Sequence, residues 1–246
     1  GYFTFSDGKT SLITEFIVKQ PYEGPMTDAH AICVARTSRW MLDTLELYHM
    51  AGVDKVIFMD GDETLTAHNR MPNEIVPSLH VYYMNQIGSL KDVERALKSG
   101  FPWIGEALLR HSGSTNTPAD DPIALQIYDL CTKYQAPITI HQDSGEYAGA
   151  YDELEKVFVQ RPDCIFVFHG WWLGKGHLSF EKMEEIIVKY PNVYVELAGR
   201  LEGYGPAGRN SQRFLGGTSQ DTLAYPDGKI RGDWRRLFEK YPERFI

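Results

Sequence analysis

From residue 54 onward, short apolar runs alternate with amphipathic stretches. The runs are 54–59 "DKVIFM", 79–84 "LHVYYM", 102–108 "PWIGEAL", 136–141 "APITIH", 164–169 "CIFVFH" and 192–198 "NVYVELA". They are rich in Val, Ile, Tyr and Phe, which predicts strands. They are nearly continuous in apolar character, as parallel strands covered by helices on a sheet face are. Their starts lie roughly 23 to 34 residues apart, the length of a βα unit.

Helical periodicity fills the gaps. Residues 27–51 carry Val34, Met41, Leu42, Leu45 and Tyr48 on one stripe, closed by Gly52, and predict one helix. Leu90, Val93 and Leu97 predict a second, stopped by Gly100. Asp121 is placed to cap a third, with Pro122 in its first turn and Ile123, Ile127, Leu130, Cys131 and Tyr134 as its apolar face. Further stripes run through Tyr151, Leu154, Val157 and Phe158, through Phe180, Met183, Ile186, Ile187 and Tyr190, and through Trp234, Leu237, Phe238 and Tyr241. Six βα units and a seventh helix therefore follow one another. The closing "PERFI" reads as the opening of a further strand. This alternation fits a doubly wound sheet or a (β/α)8 barrel, in one domain over 1–246. The longest irregular segment, 199–231, is rich in Gly and Arg; loops of that length are functional or mobile.

Composition narrows the partners. Hydrophobic residues make up 43% and charged residues 24%, the balance of a soluble globular chain. A net charge of −8 argues against nucleic acid, which wants a basic face. No run approaches the 18 or so apolar residues of a membrane span. A small-molecule substrate, a cytoplasmic location and a capacity for homo-oligomers are the matching expectations. Cys33, Cys131 and Cys164 have no CxxC spacing and read as reduced, buried thiols. The chain opens at Gly1 rather than Met, so it is expected to be a piece of a longer polypeptide.

Active sites of parallel sheets and barrels gather at the C-terminal ends of the strands. Asp60, Asn85, His141 and His169 end runs there; Glu106 and Glu196 lie inside theirs. By alternation, Thr139 shares a face with His141, Ile165 and Val167 share one with His169, and Ile104 shares one with Glu106. Two imidazoles and a carboxylate converging on one interior suit a divalent metal such as zinc. A carboxylate in an apolar strand needs a partner: a metal, Arg110 or Arg200. A competing signal is "VIFMDGDETL", whose Asp60-x-Asp62-x-Thr64 resembles the first motif of haloacid dehalogenase-like phosphatases. The rest of that pattern is missing. The later strands end in His rather than Ser or Thr, and the acidic pair Asp120–Asp121 caps a helix.

In combination, "GFPWIGEALLRH", "DDPIALQIYDLCTKYQAPITIHQD", "RPDCIFVFHGWW" and "YPNVYVELAGR" resemble the amidohydrolase-related, TIM-barrel metal-dependent hydrolases over roughly residues 50 to 246. The resemblance implies a (β/α)8 barrel, present here as about strands 2 to 7. It implies metal ligands Glu106 on strand 4, His141 on strand 5 and His169 on strand 6. The family's HxH pair on strand 1 would fall before Gly1. Within the chain, "DAHAI" offers His30 but has Ile32 in place of the second His, and it reads as the opening of a helix. The family's catalytic Asp on strand 8 would fall past Ile246. The implied chemistry is hydrolysis of a small-molecule amide, ester or lactone. The metal, expected to be zinc, lowers the pKa of a water and polarises the carbonyl; the absent Asp moves the proton. A fragment without those motifs would itself be inactive. Asp60, Trp171 and Arg200 are the expected substrate-binding residues. Trp172, Tyr204, Arg209, His111 and His177 are weaker candidates, and His49, His68 and His80 read as structural or solvated. A decarboxylase on the same barrel and a barrel without catalysis are the alternatives.

Overall fold

A computed structural model describes residues 2–4, 10–12, 24–33, 36–111, 115–142, 149–169, 180–196, 230 and 232–246. Strands β1 (Tyr2–Thr4) and β2 (Thr10–Leu12) form a small antiparallel pair. The main sheet starts with β3 (Thr27–Ile32), followed by helix α1 (Ser38–Met50), β4 (Lys55–Asp60), α2 (Asp62–His68), β5 (Ile75–Val81), α3 (Ile87–Lys98) and β6 (Trp103–Leu108). A short hairpin, β7 (Arg110–His111) with β8 (Thr115–Asn116), leads into α4 (Pro122–Tyr134). Then come β9 (Ile138–His141), α5 (Ala150–Gln160), β10 (Phe166–Phe168), α6 (Phe180–Lys189), β11 (Val193–Val195) and α7 (Gly232–Lys240). Seven strands are parallel, in the order β11-β10-β9-β6-β5-β4-β3. The sheet curls as part of a TIM barrel with helices outside. Beyond β11, Phe245 bridges Val195 in parallel and Ile246 N–H donates to the Val195 carbonyl at 2.9 Å, so "PERFI" does open a strand-like pairing.

The helix-facing side of the sheet holds the larger core. Ile104, Ile138, Ile140, Phe166, Phe168 and Val193 pack there with the buried faces of α3 to α6. Val56 and Phe58 of β4 pack with Met41 and Leu45 of α1. A smaller cluster fills the concave side: Ala29, Ile57 and Met59, flanked by Val76 and Trp103. The caps follow the sequence signals. Asp121 accepts from Ile123 N–H at 2.8 Å with Pro122 in the first turn of α4. The three cysteines are buried and free. Among the described residues, no helix is long and apolar enough to cross a membrane.

Three sequence expectations are corrected. Residues 27–51 are not one helix: 27–32 is strand, and α1 begins only at Ser38, where the Thr37 hydroxyl accepts from Trp40 N–H. Asp28, His30 and three short residues make "TDAHAI" too polar to register as an apolar run, yet it pairs with β4 along its length. The sheet therefore holds counterparts of barrel strands 1 to 7, not 2 to 7. β5 spans 75–81 rather than 79–84, because Pro77 sits inside a central strand, where it removes a ladder donor and argues against one. Asn85 consequently lies beyond the strand end. Asp62 and Thr64 of the Asp60-x-Asp62-x-Thr64 stretch open α2, with Asp62 and Glu63 in its first turn.

Candidate metal centre

The site forms at the C-terminal ends of the parallel strands. β9 and β10 behave as alternation predicts. Ile138 and Ile140 face the helices while Thr139 and His141 face inward; Phe166 and Phe168 face out, leaving His169 inward. On β5 the same rule turns Ser78 and His80 inward.

Two strands break the rule, and both breaks fall at the site. On β6, Ile104 pairs with Ile138 and Ala107 with Ile140, three steps against two. The extra residue is Gly105, at φ +141°. A Cβ there would lie 2.7 Å from Thr139 Cβ and 2.9 Å from its carbonyl oxygen. The bulge lets Ile104 and Ala107 both face the helices while Glu106 turns inward. Ile104 and Glu106 therefore do not share a face, a correction to simple alternation. On β3 the step from Asp28 to Ala31 spans only Val56 to Phe58 of β4, a second bulge. Ala29 joins the inner cluster, Ala31 the outer core, and His30 turns inward between them.

Glu106 is the centre of the constellation. His141 Nδ1 makes a short hydrogen bond to Glu106 Oε1. His80 Nε2 lies 3.6 Å and His30 Nε2 3.9 Å from Oε2, and His169 Nε2 lies 3.8 Å from Oε1. Glu196, just past β11, approaches from the other side. Its Oε1 lies 3.3 Å from His169 Nδ1 and 2.7 Å from His30 Nδ1. The His30 contact is close but off the direction of a ring N–H. The His30 and His169 rings stack at 4.0 Å, tilted 23°. His111 in the hairpin packs its ring 4.1 Å from that of His141. Glu106, His141, His169 and Glu196 are all at most 4% exposed.

Burial and mutual charge set the protonation of the cluster. Burial pushes the Glu106 carboxyl up, but His141, His80 and His169 outweigh it and hold it well below the usual carboxylate range. Glu196 is likewise raised by burial and lowered more strongly by His169 and His30. Burial drives His169 down to about 4, with the charge of His30 adding to the fall against Glu196. His30 moves up, because Glu196 and Glu106 outweigh its desolvation.

These features fit a divalent cation. Among the described residues, two sets of ligand atoms each lie within 4.8 Å of one another: Glu106, His141 and His169, and His30, His169 and Glu196. Both offer N and O donors, the set that zinc and similar ions take. Among the described residues, the buried atoms His30 Nε2, His80 Nδ1 and Glu196 Oε2 have no hydrogen-bond partner, a rare condition for buried polar groups unless another ligand serves them. Two carboxylates held ionised and a neutral His169 are the forms in which ligands bind metal.

Solved structures share this architecture. An uncharacterized TIM-barrel protein from Bordetella bronchiseptica matches with TM-score 0.55 at 13% identity, over 89% of this chain and 97% of its own. A putative 2-pyrone-4,6-dicarboxylic acid hydrolase from Pseudomonas putida matches with TM-score 0.58 at 12% identity, over 89% and 80%. A dihydroorotase from Campylobacter jejuni matches with TM-score 0.52 at 13% identity, over 90% and 68%. The chain shares the TIM-barrel fold of these structures. No family model matches the sequence, and no curated protein does.

The structure brings Glu106, His141 and His169 together and adds His30, His80 and Glu196. Glu196 was visible in the sequence as an acid in an apolar run, without a role. His30 was hidden by the helical reading of 27–51. His80 was set aside as structural or solvated, yet its side chain is 5% exposed and stands beside Glu106. Arg110 is not the partner of Glu106: it makes a two-pronged pair with Glu153, at 3.0 and 2.6 Å. Asp60 ends β4 half-buried, on the face of Val56 and Phe58 rather than that of the cluster. His49 pairs with Glu74 at 3.0 Å, and His68 Nδ1 lies 2.7 Å from the Ile75 carbonyl, structural roles as expected. Trp171, Trp172, His177, Arg200, Tyr204 and Arg209 lie outside the described residues.

Proposed function

We propose that this chain carries the metal centre of a metal-dependent hydrolase acting on a small-molecule amide, ester or lactone. The observation that carries the reading is the convergence of four imidazoles on the buried Glu106 carboxylate at the strand ends of a TIM barrel. Glu106, His141 and His169 would hold the ion, with His30 beside them. When bound, such an ion supplies Lewis-acid polarisation of a carbonyl and a nucleophile at neutral pH. The protein's own part is to keep Glu106 ionised and His169 neutral and to exclude water from the ligand set. Trp171 and Arg200 are the residues proposed to meet the substrate, and zinc is the proposed ion; Asp60, on the helix-facing side of β4, is not among them. The support is the ligand set and a fold shared with named hydrolases at low identity.

The test is metal analysis with an activity panel of amides, esters and lactones. We expect about one divalent ion per chain, and a sharp loss of metal in His141→Ala or His169→Ala. Metal content unchanged in both variants would remove the site. Release of CO₂ from carboxylic acids, with no hydrolysis, would move the reading to a decarboxylase.

A further inference from the structure

Resting on the metal-centre reading, we infer that Glu196 is a positioning residue: a buried carboxylate that holds the imidazoles of His30 and His169 from behind, through their Nδ1 atoms. The geometry is directional. Both rings turn Nδ1 towards Glu196, at 2.7 and 3.3 Å, and both turn Nε2 towards Glu106, at 3.9 and 3.8 Å. The rings are stacked nearly parallel, so one carboxylate reaches both from the same side. Glu196 Oε1 presently faces both nitrogens, and Oε2 is buried without a partner. A proton fixed on Nδ1 leaves the Nε2 lone pair free on the Glu106 side. A carboxylate behind a ligand histidine fixes its tautomer and ring orientation and raises its basicity.

Backbone structure supports the assignment. Glu196 N–H donates to the Phe168 carbonyl at 2.7 Å, one residue before His169, so the carboxylate and the imidazole are set by the same strand pairing. His30 comes from the far edge strand of the sheet, six strands away from β11 in order. Glu196 thus links the first and last strands of the described sheet across its concave side, which a packing role at either edge would not require.

The rival role is direct ligation, since Glu196 also belongs to the ligand group with His30 and His169. Two measurements on the 246-residue chain separate the roles. The first is the imidazole ¹⁵N spectrum of the metal-free protein, assigned with His30→Asn and His169→Asn. In the parent protein we expect the proton of both rings on Nδ1. In Glu196→Leu, which keeps an apolar bulk and removes the acceptor, we expect at least one ring to shift to Nε2–H or to a tautomer mixture. The second is zinc binding by chelator competition. Glu196→Gln should keep the parent stoichiometry and bind about 10- to 100-fold more weakly, with Glu196→Asp recovering part of the loss. Loss of a full equivalent of zinc in Glu196→Gln would make Glu196 a ligand and overturn the proposal. Tautomers unchanged in Glu196→Leu would also overturn it. If the parent chain binds no zinc, cobalt or manganese, the metal-centre reading fails, while the metal-free spectra still decide the role of Glu196.

Discussion

His80 Nε2 stands 3.6 Å from Glu106 Oε2, while His141 bonds the other oxygen, Oε1. Both side chains are 5% exposed, so the contact lies in a poorly hydrated interior where charge is costly to leave uncompensated. His80 reaches it because β5 keeps strict alternation through Ser78 to the strand end, and Ser78 itself donates to the Gly105 carbonyl at 2.9 Å. Removing His80 would take away one of the neighbours that keep Glu106 ionised. His80→Ala is expected to retain metal at saturation and to weaken its binding about tenfold. Chelator competition measures this directly. An affinity equal to the parent's would show that His80 only fills space.

Gly105 is the residue that makes the β6 bulge possible. Its φ of +141° is open to glycine and strained for any L side chain. An added methyl would press on Thr139 Cβ at 2.7 Å and on its backbone oxygen at 2.9 Å, neither the movable end of a flexible side chain. Gly105→Ala should therefore cost on the order of 3 kcal/mol. It should also lower metal content, because the bulge aims Glu106. Urea denaturation together with metal analysis tests both. Full stability would mean that β6 relaxes to a regular strand without cost.

The same bulges explain what was legible in the sequence. The helices from α3 onward could be read from their stripes, because each buries one face in the outer core. His141 and His169 could be read too, because β9 and β10 alternate regularly and end in the residue that matters. Glu106 stood out as a carboxylate in an apolar run, and its inward direction was right; alternation went wrong only in giving Ile104 the same face, since it cannot count the extra residue at Gly105. His30 was harder still. A bulged edge strand of small and polar residues has neither a period of two nor an apolar run, and the 3.6-residue stripe of α1 extended naturally over it. Long-range pairing with β4, which no local pattern reports, decides that segment.

Glu184 on α6 accepts from Arg236 Nη1 and Lys240 Nζ of α7, each at 2.6 Å, and from Tyr241 Oη at 3.0 Å. These contacts hold its carboxyl down at about 2, the Lys240 and Arg236 bonds contributing most. Because the folded value lies below the unfolded one near 4.3, the contribution is complete above about pH 5 and is lost as pH falls towards 2. The melting temperature of Glu184→Gln should therefore lie below the parent's at pH 7, with the gap narrowing from pH 5 to pH 3. Added salt should narrow it too, since the cations are exposed. A gap independent of pH would assign the loss to packing instead.

Tyr128 is fully buried in the large core, its ring edge-on to Phe166 at a centroid distance of 5.2 Å. Its hydroxyl has no hydrogen-bond partner among the described residues. The ring earns its place by area and by the aromatic contact, both of which phenylalanine keeps. The hydroxyl alone carries a desolvation cost with nothing to offset it, about 1 to 3 kcal/mol for a buried polar group of this kind. Part of that is returned as a small void where the oxygen stood, so the net gain should be smaller. Tyr128→Phe is expected to stabilise the protein by about 1 kcal/mol, against the usual direction for a core substitution. Thermal and urea denaturation should agree on the sign. A Tyr128→Phe protein less stable than the parent would mean that the hydroxyl is satisfied in solution, and that a polar group or a buried water reaches this part of the core.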